Sequence, residues 1–518
     1  MKPSSFFSSF RVFRVFRGSP LRKLRHFSYF ALAATAAAAP FAIETMPNPP
    51  GVDPQIGGLD VLPDGKVVAA FHRGEVMVFD PAAKSWKKFA EGLHEPLGLV
   101  AESASSFLVM QRAELTRLKD ADGDGRADEY ETVFDDFGMT GNYHEFAFGP
   151  AKGPDGSLYI GLNVASNGAG IRPEIRGKWS EIGDLNFEEM IHGEGWGKRA
   201  GKAGRMYARV PWRGWVLKIS PDGKSMEPYA SGFRSPDGIG VDGDGNVLVT
   251  DNQGDWRGTS PLHVVQKGGF HGHPASLVWQ EGWDKGDPLK LSPKELDVMR
   301  VKESARFPQG ELANSPTQPV PFPKSWGPFA GQVLIGEMNQ NRMVRYLPDD
   351  VAGFRQGTLI PMFDGTPLGN GNHRLAFGKD GELWVGKTHL SWAGAEGLVK
   401  ITPSGLDKLF TVKSVKLEKA GERQTLRIAF SQPVKAGLEG VTVKRYSYLY
   451  HVGYGSPKTD EAAVGIEGTK ASAGGRELVI ALDAKEGAIH QVDLSALRDA
   501  AGTALEGKIL YYQATKLP

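Results

Sequence analysis

Short runs of alternating apolar and polar residues recur along this chain, joined in pairs by Asp-Gly turns. The pattern reads Val61-Leu62-Pro63-Asp64-Gly65 then Val67-Val68-Ala69, and Gly153-Pro154-Asp155-Gly156 then Leu158-Tyr159-Ile160. It returns as Val241-Asp242-Gly243-Asp244-Gly245 then Val247-Leu248-Val249, and as Gly378-Lys379-Asp380-Gly381 then Leu383-Trp384-Val385. Alternation with period two, broken by Asp-Gly, predicts β-hairpins. Recurrence of one strand-turn-strand unit predicts a radial β architecture.

Six units follow from this spacing. The first runs from about Gly57 to Gly92 and the second from Pro96 to about Asp136. The third begins at Tyr143-His144, is interrupted from about Ala165 to Pro211, and resumes at Trp215–Ile219. The fourth opens at Arg234 and carries a second interruption, about Leu277 to Trp326; the fifth resumes at Gln332 and the sixth at Asn372-His373. Uninterrupted units of about 40 to 50 residues match four-stranded blades. The expected fold is all-β: a six-bladed β-propeller over 48–410 followed by a small Ig-like β-sandwich over 411–518, where short alternating strands such as Leu426–Phe430 and Leu478–Leu482 are separated by Gly-rich turns. The first interruption is rich in Lys198, Arg199, Lys202 and Arg205 and reads as a surface loop or a lid; the second holds Trp279, Trp283 and Trp326 and reads as packed. In the tail, Tyr446, Tyr448, Tyr450, His451 and Tyr454 form an aromatic cluster that either stacks on a sugar or packs against the propeller.

The first 43 residues contain no acid; six Arg and Lys from Arg11 to Arg25 precede an apolar run from Phe27 to Ala39. Residues 1–39 read as a signal peptide, with an organelle transit peptide as the alternative. The apolar run is too short for a stable membrane span, so the expected location is secreted or periplasmic. The formal net charge of +1 gives no sign of a nucleic-acid partner. The chain has no Cys, which excludes disulfides, thiolate metal sites and a covalently attached c-type haem. Electrons, if transferred, leave for an external acceptor such as a cytochrome.

The densest chemical motif is Asp120-Ala121-Asp122-Gly123-Asp124-Gly125-Arg126-Ala127-Asp128-Glu129-Tyr130-Glu131. Oxygen ligands from Asp120, Asp122, Asp124, the Arg126 carbonyl, Asp128 and Glu131, with Gly at the sixth position, match an EF-hand calcium loop. The flanks read as strands, so the expectation is a structural calcium at a hairpin tip; the alternative is a solvated acidic turn without metal.

Polar residues also stand just ahead of several units, at points that converge on one mouth of a propeller. His144 is the candidate general base, and Arg234 a fixed guanidinium for a carbonyl, carboxylate or oxyanion. His144 before Phe146-Ala147-Phe148-Gly149, with Gly232-Phe233-Arg234-Ser235-Pro236-Asp237-Gly238 about 90 residues on, resembles the soluble quinoprotein glucose and sorbosone dehydrogenase propellers. Thr250-Asp251-Asn252-Gln253-Gly254-Asp255-Trp256, Gly269-Phe270-His271-Gly272-His273-Pro274 and Gly371-Asn372-His373-Arg374 resemble secreted bacterial sorbosone-dehydrogenase-like proteins. The resemblance implies a sugar or alcohol dehydrogenase in which His144 removes a hydroxyl proton as hydride passes to pyrroloquinoline quinone (PQQ), and Arg234 contacts the quinone. It also implies that Asn339, Asn372, His373 and Arg374 stand where the family holds the cofactor, and that Asp251, Asn252, Gln253 and Asp255 stand beside a catalytic calcium. The family's lysine and arginine pair are replaced by Asn339 and by Gly371 with His373, which leaves Arg374 or Arg342 to supply positive charge. His271 and His273 offer a transition-metal alternative. Two other classes remain open: a calcium-dependent, lactonase-like hydrolase using Glu337, Asn339, Asp251 and Asn252, and a non-catalytic carbohydrate-binding propeller.

Overall fold

The computed structural model describes residues 39–192, 205–389, 394–421 and 423–518. The leader reading at 1–39, apart from Ala39, and the basic residues Lys198, Arg199 and Lys202 lie outside the described residues. The rest is nearly all β, built from antiparallel sheets.

The first blade is made of Ile56–Val61, Val67–Phe71, Val76–Asp80 and Ser85–Ala90, and the second of Gly98–Ala101, Ser106–Met110, Leu115–Lys119 and Glu129–Phe134. Ala147–Lys152, Leu158–Leu162, Trp215–Ile219 and Met226–Ser231 form the third. Pro236–Val241, Val247–Asp251, Ser260–Val264 and Ala305–Phe307 form the fourth. The fifth contains Pro316–Pro321, Val333–Glu337, Met343–Val351 and Phe354–Met362. Inner strands of successive blades adjoin, and Asn372–Phe377 of the sixth returns to Ile56–Val61 of the first, closing the ring. The Asp-Gly turns earn their glycines: Gly65, Gly156, Gly245 and Gly381 all sit at φ between +81° and +88°, where a Cβ is strained.

Two features depart from the expected boundaries. The sixth blade takes its outer strand from Phe41–Thr45, paired antiparallel with Gly397–Pro403, so the ring is fastened by a segment ahead of 48. The second interruption is shorter than 277–326, because Ala305–Phe307 and Pro316–Pro321 are blade strands. Three prolines in Pro316–Pro321 conceal the latter from a propensity reading; they are tolerated because an inner strand is hydrogen-bonded on one side only.

The tail forms two facing sheets. One holds Val412–Ala420, Arg423–Phe430, Glu477–Leu482 and Ile466–Ala471; the other holds Ile509–Ala514, Ala488–Asp493, Thr442–Ser447 and Thr459–Val464. Val415, Leu426, Ile428, Ile480, Val492 and Leu510 pack between them. The second sheet is not merely appended: Ile509–Ala514 pairs with Phe354–Met362, so it continues the fifth blade as one eight-stranded sheet. Buried Arg345 reinforces that seam, donating to Gln332 Oε1, the Val412 carbonyl, Thr411 Oγ1 and Glu506 Oε2.

Candidate functional site

In each antiparallel blade the start of the inner strand and the end of the second strand lie at the same end of the ring. His144, Arg234 and Ser315 precede inner strands, while Asn163, Asn252 and Met338 follow second strands. All six line a cavity of about 790 Å³. Gln253 lines it too, so of the expected residues the structure gathers His144, Arg234, Asn252 and Gln253. Its wall also contains Tyr143, Phe146, Phe148, Asp237 and Tyr454.

His144 is anchored on both sides. Its backbone N–H donates to Asn142 Oδ1 (3.1 Å), and its Nδ1 meets the Ser166 hydroxyl at 2.6 Å. Ser166 belongs to the first interruption, which therefore holds the histidine in place. Burial, followed by the positive charges of Arg234 and Arg112, pushes the imidazole down to about 4, so the ring is neutral near pH 7.

Arg234 is held by two buried carboxylates. Asp251 accepts the backbone N–H groups of Arg234 (2.8 Å), Ser235 (2.7 Å) and Asn252 (2.8 Å) together with Arg257 Nε (3.1 Å). Asp255 accepts Arg234 Nε at 2.6 Å and the Met206 N–H at 3.1 Å, and lies 3.4 Å from His273 Nε2. Burial pushes the Asp255 carboxyl up, but His273 and Arg234 outweigh it and hold it at about 2.

The acceptor positions of Asp251 are taken up by N–H groups and Asp255 holds Arg234, so the pair braces the arginine loop and Asp251 has no acceptor position left for a calcium with Asn252 and Gln253. Asn252 Oδ1 accepts from Ser315 Oγ (3.3 Å), and Gln253 Nε2 donates to the Gly258 carbonyl (3.1 Å). The hydrolase set fares similarly: buried Glu337 accepts backbone N–H groups of Asn314, Ser315 and Asn339. His271 and His273 do not converge either, since His271 meets His263 at 3.4 Å and accepts the Gln266 N–H, while His273 faces Asp255.

Of the residues expected to hold the quinone, Arg234 lines the cavity, while Asn339, Asn372, His373 and Arg374 lie outside its lining. Asn372 is buried, donating to the carbonyls of Arg342 and Gly369 and accepting from Lys387 Nζ. His373 bridges the Ile56 carbonyl and Asp237 Oδ1, both at 3.0 Å. The Arg374 guanidinium spans the carbonyls of Gly57, Leu97 and Asp237 and stacks on Phe148, tying together inner strands of four blades. Asn339 stands beside Glu337, away from the wall. Among the described residues lining the cavity, Arg234 and Asp237 are the charged ones, and each already faces an opposite charge or an imidazole. PQQ is a tricarboxylate, and this neutral, partly aromatic lining does not fit it.

At the hairpin tip the structure brings Asp120, Asp122 and Asp124 together, with a carboxylate oxygen from each within 4.8 Å of the others. Asp120 accepts the N–H groups of Gly123 and Gly125, and Asp128 accepts those of Ala121 and Asp122, so the loop has the Asx-turn fold of a cation loop. Glu131 does not join them. It lies opposite Arg117 in the ladder and pairs with it at 2.9 Å. An EF-hand needs a helix to bring its twelfth position back, and the strand Glu129–Phe134 points that side chain elsewhere.

Fold and cavity together define a β-propeller with a mixed aromatic and polar mouth into which a neutral histidine and a braced arginine project. A family model described as a domain of unknown function, DUF7133, matches residues 80–211, which include His144 and Ser166. No curated protein matches the chain. Among solved structures it is similar to an oxidoreductase (glucose dehydrogenase) from Thermus thermophilus, at 16% identity over 70% of this chain and 100% of the other, with a TM-score of 0.45. It is also similar to the PQQ-bound aldose sugar dehydrogenase of Streptomyces coelicolor (14% identity, 70% and 98% covered, TM-score 0.42). The PQQ domain of pyranose dehydrogenase from Coprinopsis cinerea is a third (12%, 70% and 95%, TM-score 0.45). No helix among the described residues is long and apolar enough to cross a membrane.

Proposed function

We propose that this chain is a secreted or periplasmic oxidoreductase of the soluble sugar-dehydrogenase type, acting on a neutral sugar or alcohol. The observation that carries the reading is that His144 and Arg234, about 90 residues apart in sequence, line one cavity with aromatic and amide side chains. In this reading His144 Nδ1–H donates to Ser166 Oγ, which leaves Nε2 to accept the hydroxyl proton of the substrate. The hydride leaves the same carbon for a soluble quinone or dye supplied from outside this chain, which is reduced to its hydroquinone or leuco form, and the electrons pass on to a carrier such as a cytochrome. Arg234, fixed by Asp255, faces the oxygen that becomes the carbonyl. No step is assigned to PQQ, because the lining lacks cations for its carboxylates.

Dye-linked oxidation of aldoses and primary alcohols by the purified protein, with and without added PQQ and calcium, is the test. Turnover without added PQQ is expected. Sugar binding without oxidation under every acceptor condition would instead establish a carbohydrate-binding propeller.

We further propose that the Asp120–Asp124 tip takes calcium in a structural role, with the ligand set Asp120, Asp122, Asp124 and the Arg126 carbonyl, without Glu131. Calcium at ten times its Kd should stabilise the protein by about 1.4 kcal/mol, read as a rise in Tm that chelation reverses and Asp122→Ala abolishes. A Tm indifferent to calcium and chelator would show the tip to be a metal-free acidic turn.

A further inference from the structure

The tyrosine cluster of the tail divides into two kinds of residue. Tyr446 is fully buried, Tyr448 lies under the Arg306 guanidinium at 5.8 Å, and Tyr450 packs under Arg300 at 4.4 Å while its hydroxyl donates to the Gly272 carbonyl at 2.6 Å. These three pack against the propeller. Tyr454 does not: it is 61% exposed, and its ring lines the mouth cavity.

Its position is imposed by the main chain. Tyr454 forms an antiparallel bridge with Asp255, the Gly455 N–H donates to the Gly254 carbonyl at 2.9 Å, and the Ser456 N–H donates to the Gly258 carbonyl at 2.8 Å. From the other side, the Trp256 N–H donates to the His451 carbonyl at 3.1 Å. The tail is thus stitched to the same turn whose Asp255 holds Arg234. A Cβ on Gly254 would lie 2.0 Å from the Arg234 Cζ, so the stitched turn sits directly on the guanidinium. The Tyr454 ring comes to rest 5.5 Å from that Cζ. Leaving a tyrosine ring in water forfeits burial that its three neighbours achieve. Elsewhere on the wall Asn163 is 1% exposed and donates Nδ2 to Ser235 Oγ at 3.0 Å, while its buried Oδ1 has no partner. An unpaired buried acceptor costs free energy that a ligand hydroxyl would recover.

We propose that Tyr454 is a specificity-determining residue that contacts the substrate, its ring taking the apolar C–H face of a neutral pyranose while Asn163 Oδ1 accepts one of the sugar hydroxyls. The tail is on this account a wall of the site as well as an extension of the fifth blade. The proposal rests on the reading of the cavity as a sugar site.

The test is calorimetric titration and saturation-transfer NMR of the full chain with glucose, galactose, xylose and maltose, followed by the deoxyglucose series. The best aldose should bind the wild type, Tyr454→Phe should bind within about threefold of it, and Tyr454→Ala should lose about tenfold in affinity, as expected for removing a stacking ring. One deoxyglucose should bind the wild type more weakly than glucose, and Asn163→Ala should erase that difference. Equal aldose affinity in wild type and Tyr454→Ala, with both folded by melting temperature, overturns the role of Tyr454 and leaves the sugar site standing. Failure of the wild type to bind any of the four sugars overturns the sugar site and the proposal with it.

Discussion

Replacing His144 by alanine should lower kcat for sugar or alcohol oxidation by about 10²–10⁴-fold, the range that a positioned general base supplies, while aldose binding and Tm stay close to wild type. The side chain is only partly buried and its one side-chain hydrogen bond goes to Ser166, so little of the fold depends on it. The pH profile provides a second readout. A base must be unprotonated to act, and burial together with Arg234 and Arg112 holds this imidazole at about 4. The wild-type rate should therefore remain level from pH 8 down to pH 6, where an imidazole titrating at its ordinary value of about 6.5 would already be mostly protonated. A rate that falls through pH 6.5, or a His144→Ala variant with more than about a tenth of wild-type kcat, would remove His144 from the role of base.

His144 and Arg234 were legible in the sequence because they belong to the repeat itself. Each stands a fixed few residues ahead of an inner strand, and in a closed ring that register sends both to one mouth. The Asp-Gly turns were legible for the same local reason, since a left-handed glycine between two alternating runs encodes its own geometry. What the sequence concealed is non-local. Phe41–Thr45 pairs with a strand more than 350 residues away, and five residues carry no sign of that partner. Asp251, Asp255 and Glu337 look like metal ligands in a list of residues, yet whether a carboxylate is free depends on which N–H groups the folded chain aims at it. Asn372, His373 and Arg374 are the first three residues of the sixth inner strand, whereas His144 and Arg234 stand ahead of theirs. His373 and Arg374 are taken up by the carbonyls of neighbouring inner strands. Tyr454 was visible as one of five clustered aromatics, but its separation from the three tyrosines that pack against the propeller follows only from the main-chain stitch to Asp255.

The largest effect on stability is expected from acid. His271 and His490 are buried and His144 is half-buried; all three are neutral rings, desolvation being the leading cause in each, and they titrate at about 3, about 4 and about 4 respectively. Two of them use a lone pair in the fold: His271 Nε2 accepts the Gln266 N–H at 3.3 Å, and His490 Nε2 accepts the Lys485 N–H at 3.2 Å. Protonation turns each acceptor into a donor facing another donor. In the unfolded chain the same imidazoles titrate near 6.5. Between those values the unfolded state holds more protons than the folded one, so stability is complete above pH 6.5 and is lost as pH falls toward 4. Each histidine removes up to about 1.4 kcal/mol per pH unit in that window, and the three act together against a typical net stability of only about 5–15 kcal/mol. The carboxylate of Asp255, held at about 2, adds its own loss only at still lower pH. The denaturant midpoint should accordingly drop steeply between pH 6 and pH 4. His490→Gln, which keeps an acceptor for Lys485 but cannot be protonated, should make that slope shallower by up to about 1.4 kcal/mol per unit. A midpoint that stays flat from pH 7 to pH 4.5 would mean that these imidazoles are solvated or paired in solution, and that the neutrality assigned to the base at His144 must be given up with the rest.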